Sequence, residues 1–329
     1  MLNTRIDALE NFSSLSEEGN ANLNELFSNG GILKADKVKV ICNELSVSIE
    51  KLMVLLLPVA ETFAIAPISS FKVGAVVSAH PEDIKAYSNL YLGANFEYEN
   101  LSLNFSIHAE QSAVSNAWLN GENGIAAIAT SAAPCGHCRQ FLYETSGTNQ
   151  LPVIMPANAT AIDTGSGTNT DKCSEQINSV DIQSLLPSAF GPKQLDCDLL
   201  LMEDASNNDS FNLIELSSDQ LVLKAFEQAK LSYAPYTKNY AGCVIEMTDG
   251  NVFVGRNAEN AAHNPSLSAF SSAVSQVALS LNEIEFSEKI KRVVLVENPT
   301  LTSQKEYAKL LLSNLTTNVE LEYYQIQLN

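Results

Sequence analysis

Apolar residues recur at helical spacing through the first sixty-odd positions and then give way to short β-rich runs. Leu23, Leu26 and Phe27 form one apolar stripe. Val38, Ile41, Leu45, Ile49 and Leu52 form another at steps of three and four, the period of a helix with one buried face. Asn29-Gly30-Gly31 between the stripes predicts a helix stop and a turn. From Phe71 onward the texture changes. Residues 73–78 and 87–92 predict strands, with His80-Pro81-Glu82-Asp83 as the turn between them. Residues 108–119 then carry apolar side chains at 109, 113, 114, 117 and 118, a helical stripe. Residues 125–130 predict a short strand, and Pro134 sets up another helix start.

Residues 156–181 are rich in Ala, Thr, Ser, Asn, Asp and Gly without periodicity and predict a linker or surface excursion. Its Gly165-Ser166-Gly167 is too weak to be a phosphate loop. After Asn207-Asn208-Asp209-Ser210 a second ordered segment begins, and it repeats the first. Ala66-Pro67 with Gly74 returns as Ala234-Pro235 with Gly242, and Gly93-Ala94-Asn95-Phe96-Glu97 returns as Gly255-Arg256-Asn257-Ala258-Glu259. Ser112-Ala113-Val114 returns as Ser272-Ala273-Val274, and Pro134 as Pro299. Matches in this order and at nearly constant gaps predict two copies of one α/β core. The expected division is a helical region over 1–62, a first core over 63–155, a linker over 156–210 and a second core over 211–329.

Composition narrows the function classes. The chain has 329 residues, 45% of them hydrophobic and 17% charged, which suits a globular protein with two cores. Thirty-eight acids against nineteen bases leave a net charge of −19, a surface that repels phosphate backbones, so a nucleic-acid partner is not expected. The apolar run 52–60 contains Pro58 and is nine residues long, against roughly 20 needed to span a bilayer. No membrane partner is expected, and the charged start 1–10 does not resemble a secretory signal. A cytoplasmic location is the expectation. Six cysteines are too few for a disulfide scaffold. Cys42, Cys173, Cys197 and Cys243 are isolated, whereas Cys135 and Cys138 form a Cys-x-x-Cys pair.

The chemistry concentrates in two clusters. His108-Ala109-Glu110 opens a predicted helix, and Pro134-Cys135-Gly136-His137-Cys138 opens the next. One histidine and two cysteines with a fourth position open is a ligand set suited to a catalytic zinc. Helix N-termini favour the thiolate forms. Glu110 would face the metal without binding it, and a carboxylate there can move a proton from water to a leaving group. Taken alone, Cys-x-x-Cys fits a structural zinc half-site or a redox pair equally well. The residues that follow, Arg139-Gln140-Phe141, lack a redox context. A structural site would recruit a fourth ligand, for which His137, His80 and His263 are the candidates.

His-x-Glu followed by Pro-Cys-x-x-Cys is the signature of zinc deaminases acting on cytosine or adenine rings. The resemblance goes further than the signature. Phe71-Lys72-Val73-Gly74-Ala75, Gly93-Ala94-Asn95, His108 to Ala113, Pro134 to Phe141, Leu186 to Lys193 and Ala258 to Ala262 resemble the large, two-core, homodimeric cytidine deaminases over nearly the whole chain. That resemblance implies a duplicated three-layer α/β/α core with a helical N-terminal region. It implies one zinc per subunit on His108, Cys135 and Cys138, with Glu110 as proton shuttle. It also implies Asn95 and Glu97 on the ribose 3′-hydroxyl, Phe71 stacked on the pyrimidine, the Ala109 N–H on the ring carbonyl and Phe190 near the base. Substrate would be cytidine or deoxycytidine, the partner a second copy of the chain, and the setting pyrimidine salvage. One departure is Ala132, where the family often has an aromatic residue.

The second copy lacks these groups. Its alignment places Ser268 at the His108 position, Phe270 at Glu110, and Thr300 and Ser303 at the two cysteines. This half is expected to be inert and, by the resemblance, to border the partner's active site. Asn257 and Glu259 survive there without chemistry to perform, which predicts a structural duty for Asn95 and Glu97 as well. Two rival functions remain: a polynucleotide-editing deaminase, which should carry a Lys/Arg-lined channel, and a zinc-stabilised binding protein that does not need Glu110.

Overall fold

The computed structural model describes residues 8–81, 87–145, 150–156, 177–203, 211–281 and 286–328. Part of the expected turn at 80–83, most of the polar stretch 156–181 and Asn207-Asn208-Asp209-Ser210 lie outside the described residues.

The N-terminal stripes form helices. Helix α1 (Glu17–Ser28) starts at Ser16, whose hydroxyl accepts the Gly19 N–H at 3.1 Å. The second stripe is two helices rather than one, α2 (Ala35–Leu45) and α3 (Ile49–Leu55). Ser46 turns left-handed at φ 54°, and Ser48 then recaps the chain by accepting the Lys51 N–H. Helix α4 (Leu57–Glu61) follows with Pro58 in its first turn.

The first sheet contains β1 (Ile32–Leu33), β2 (Gly74–Ala79), β3 (Leu90–Ala94), β4 (Ile125–Thr130), β5 (Pro152–Pro156) and β6 (Ile177–Asp181), in the order β1-β3-β2-β4-β5-β6. Strand β1 was not expected. Strand β6 falls where a linker was expected and pairs antiparallel with β5. Helix α5 (Ala109–Leu119) connects β3 to β4, and α6 (Gly136–Tyr143) crosses over between the parallel strands β4 and β5. The short α7 (Ile182–Leu185) follows β6. Alternation divides the sheet: Val76, Leu90, Leu92 and Ile154 pack with α1–α4, while Ala75, Val77, Tyr91 and Ile128 face α5. The arrangement is three layers, helices on both faces of one sheet.

The second sheet contains β7 (Phe211–Leu213), β8 (Ala241–Met247), β9 (Val252–Arg256), β10 (Ile290–Glu297) and β11 (Leu321–Leu328), in the order β7-β11-β10-β8-β9. Helices α8 (Gln220–Lys230), α9 (Ala269–Leu281) and α10 (Lys305–Leu315) take the places of α4, α5 and α6. Read from the other edge, β9-β8-β10-β11-β7 repeats β3-β2-β4-β5-β6, including the parallel pair. Register fixes the alignment: Ala75 opposes Thr130 in the first sheet, and Cys243 opposes Leu295 in the second, which sets Pro299 against Pro134.

The two cores share one apolar interior in which α5 and α9 meet. The Ser115 and Ser272 hydroxyls are 2.8 Å apart, and Ser275 donates to Ser112, also at 2.8 Å. Reciprocal contacts of this kind mark a pseudo-two-fold axis. This explains why α5 is buried all round from Ala109 to Trp118 rather than along one stripe. One side meets the sheet, the other the second core. Gly93 makes that packing possible, since a Cβ there would lie 2.1 Å from the Ala113 nitrogen; at Gly255 it would lie 2.3 Å from the Ala273 nitrogen.

Candidate active site

Two helix starts converge on one point. His108 is the N-cap residue of α5, Cys135 is the N-cap of α6, and Cys138 sits in the first turn of α6. His108 is fixed by its own backbone, whose N–H donates to Gln111 Oε1 at 3.1 Å. Arg139 braces the cysteine loop by donating to the carbonyls of Pro134 at 2.8 Å and Leu185 at 3.0 Å.

The separations are 3.6 Å from His108 Nδ1 to Cys135 Sγ, 3.2 Å from Nδ1 to Cys138 Sγ, and 3.7 Å between the sulfurs. Tetrahedral zinc with ordinary Zn–S and Zn–N bonds requires about 3.8 Å between sulfurs and about 3.6 Å from sulfur to nitrogen. The donor set therefore fits zinc. Among the described residues these three form the one group of His, Cys, Asp or Glu side chains placed to hold a metal ion.

Electrostatics accords with the donor set. Hydrogen bonding from the Cys138 thiol and from His108 brings the Cys135 thiol down to about 3. The same hydrogen bond, together with burial, pushes Cys138 up. Metal binding at such a pair requires the thiolate forms. The hydrogen bond to Cys135 raises the His108 imidazole. Glu110, the second residue of α5, is 4% exposed, and burial lifts its carboxyl above the usual carboxylate range. A carboxyl raised in this way beside a metal site is suited to accepting and returning protons.

A cavity of about 330 Å³ opens onto this cluster. His108, Ala109, Glu110 and Cys135 line it together with Phe71, Asn95 and Glu97. Of the residues expected in the site, Cys138 joins them through the metal cluster and Phe190 stays outside the lining. Phe71 is 61% exposed and stands at the rim. Ala109 begins α5, where main-chain N–H groups have no partners within the helix. Ala132 lines the cavity with a methyl group, so no aromatic wall stands there. Phe190 does not line it; its carbonyl accepts from Gln140 Nε2 at 2.6 Å.

Asn95 and Glu97 also have a structural duty. Asn95 Oδ1 accepts the Val73 N–H at 2.8 Å, and its Nδ2 donates to the Phe71 carbonyl at 3.0 Å. Glu97 accepts the N–H groups of Ile68 and Ser69 at 2.9 and 3.0 Å and the Ser69 hydroxyl at 2.5 Å. Together they hold the loop that presents Phe71. The second copy repeats the device: Glu259 accepts from the N–H groups of Tyr236 and Thr237 and from the Thr237 hydroxyl, and Asn257 donates to the Asn239 carbonyl.

Sequence reasoning missed Ser69, whose signal would have been a hydroxyl two residues after the Ala66-Pro67 repeat. It also missed a packing role for His137, whose ring stacks on His108 at 5.2 Å with 10° between the planes.

The second copy has none of this chemistry. Ser268 precedes α9 as His108 precedes α5, and Phe270 is fully buried. Glu297 stands at the Ala132 position. It accepts the Ser303 hydroxyl at 2.5 Å, the Gln304 N–H at 2.8 Å and Asn239 Nδ2 at 2.9 Å. A buried carboxylate thus ties down the loop that corresponds to the cysteine loop.

Two family models, both described as the cytidine and deoxycytidylate deaminase zinc-binding region, match residues 46–155 and 182–309. Cytidine deaminases of Aliivibrio fischeri and Pectobacterium atrosepticum are each 36% identical to the chain. The first alignment covers 77% of this chain and 76% of the relative, the second 75% and 74%. A crystal structure of cytidine deaminase from Burkholderia pseudomallei aligns with 43% of this chain and 98% of its own, at 28% identity and a TM-score of 0.32.

Proposed function

This chain belongs to the cytidine and deoxycytidylate deaminase zinc-binding family, and we propose that its first core hydrolyses cytidine and deoxycytidine to uridine and deoxyuridine, releasing ammonia. The observation that carries this reading is the cluster of His108, Cys135 and Cys138 at a cavity that His108, Cys135 and Glu110 line.

His108, Cys135 and Cys138 hold zinc in this reading. When bound, zinc supplies Lewis acidity that makes water a usable nucleophile at neutral pH. Glu110 would take a proton from the attacking water and deliver it to ring N3 as the oxygen bonds to C4. It then carries the second proton to the exocyclic amine, which leaves as ammonia. The Ala109 N–H binds the ring carbonyl, and Phe71 stacks on the ring. The Glu97 carboxylate and the Asn95 amide keep hydrogen-bonding capacity for the 3′-hydroxyl beyond their bonds to the 68–73 loop. Among the described residues no Lys or Arg lines the cavity, which favours a neutral nucleoside over a nucleotide or a polynucleotide.

The division into a helical region, a catalytic core, a linker and an inert core at the boundaries given above is part of the proposal. So are a homodimer, a cytoplasmic setting and pyrimidine salvage. A rim residue as exposed as Phe71 supports closure of the cavity by a partner. Ultraviolet assay of zinc-loaded protein on cytidine tests the activity, with one zinc per chain expected. Zinc-replete protein that leaves cytidine unchanged would refute it. Sedimentation is expected to give a dimer, and an active monomer would remove the partner from the site.

A further inference from the structure

We propose that the cavity where the two cores meet is a second nucleoside site, one that binds a neutral nucleoside and does not transform it. The cavity encloses about 350 Å³, close to the 330 Å³ of the zinc-facing one. First-core residues Phe105, Ser106 and Gln111 line one side, and second-core residues Asn257, Ser271 and Tyr307 line the other. Ser106 and Ile107 line both cavities, so the two share a wall while remaining distinct. Neither Glu110 nor a cysteine reaches the second one.

The lining chemistry selects the ligand. Its polar groups are hydroxyls, amides and an imidazole, and among the described residues no Lys, Arg, Asp or Glu lines it. A phosphorylated ligand would find no counter-charge there, in a chain whose net charge is −19. Sugar hydroxyls and the amide edge of a base match such groups. Phe105 and Tyr307, with ring centroids 5.6 Å apart, supply an aromatic surface for a flat ring. Among the described residues the Ser106 hydroxyl is buried without a hydrogen-bond partner, a costly state that a ligand would relieve.

The cavity overlaps the second core's counterpart of the zinc pocket: Asn257, Ser266, Leu267, Ser268 and Ser303 stand where the first core has Asn95, Ser106, Ile107, His108 and Cys138. Asn239, at the Phe71 position, and Glu297, at the Ala132 position, are hydrogen-bonded to each other at 2.9 Å and do not line it. The ligand would sit toward Phe105 and Gln111 of the first core.

The choice of a nucleoside draws on the proposed activity, but the test separates the two. Equilibrium dialysis of radiolabelled uridine against the zinc-loaded full chain is expected to find two sites per chain. Tyr307→Ala, which removes the aromatic wall, and Asn104→Trp, which crowds the mouth from an exposed position, are each expected to leave one. Initial rates on cytidine should stay at the wild-type value in both. If Tyr307→Ala does not fold, Asn104→Trp decides. One site in the wild type, or two retained in the folded variants, would overturn the second site. Failure to deaminate cytidine would instead overturn the function of the first.

Discussion

Glu110 and Glu97 are both buried carboxylates lining one cavity, yet their surroundings divide their labour. Burial pushes Glu110 above the carboxylate range, whereas Glu97 has donors on both oxygens and stays below it despite its burial. The first is free to exchange protons and the second is a fixed acceptor. Glu110→Gln should keep its zinc, measured by metal analysis, and lose roughly 10²–10⁴-fold in kcat, the usual contribution of a positioned proton carrier. A variant that turns over at the wild-type rate would exclude Glu110 from proton transfer. Glu97 and Glu259 allow a second, paired experiment, because they hold equivalent loops in the core that carries the metal cluster and in the one where His108, Cys135 and Cys138 have no counterparts. Glu97→Gln and Glu259→Gln should each lower the free energy of unfolding, read from denaturant titration, by about 1–3 kcal/mol if the charge-assisted bonds are what is lost. Only Glu97→Gln should also raise the KM for cytidine. A KM that rises equally in both would make the effect one of folding alone. The surviving Asn257 and Glu259 made this duty legible in the sequence, but not its partners. Those are main-chain N–H groups up to 29 residues away, and no residue type marks them.

At the scale of elements, legibility followed the strength of the local pattern. The buried strands β2 and β4, and α5 with its clear apolar period, were predicted close to where they lie. Strand β1 is two residues long, and β6 reads Ile-Asn-Ser-Val-Asp, so neither carries a signal beyond its neighbours. Their existence depends on the sheet edges they pair with. The break between α2 and α3 was hidden for a related reason: Ser46 interrupts the backbone but not the apolar spacing. The close approach of α5 to β3 and of α9 to β9 rests on Gly93 and Gly255. Gly93→Ala and Gly255→Ala should both destabilise the fold by about 1–3 kcal/mol or more, read from thermal unfolding. The two should differ in activity. Gly93→Ala displaces the helix that starts at His108 and should lose activity even where folded, whereas Gly255→Ala should retain more in its folded fraction. Equal loss per folded molecule would mean that the two cores are not mechanically separable.

For the molecule as a whole, duplication and charge act together. The metal cluster was legible because its ligand types and spacings are dictated by zinc itself, and both halves of the motif are local in sequence. The packing of the cores about α5 and α9 was not, because Ser112, Ser115, Ser272 and Ser275 look like surface positions until the second core covers them. That burial leaves the surplus of acids to the outer surface and the cavity walls, and the zinc-facing cavity contains Glu97 and Glu110 with no cation. A neutral nucleoside approaches such a molecule without electrostatic cost. Its 5′-monophosphate approaches against a net charge of −19, and among the described residues no Lys or Arg lines the cavity to receive it. Raising the salt from about 0.01 M to 0.15 M shortens the screening length from about 30 Å to about 8 Å. The expected result is that kcat/KM for cytidine stays nearly constant across that range, while the much lower value for cytidine 5′-monophosphate rises. Steady-state assays of both compounds at matched pH would decide it. A monophosphate used as well as the nucleoside at low salt would show that charge does not set substrate choice, and would locate that choice in contacts made by a partner subunit.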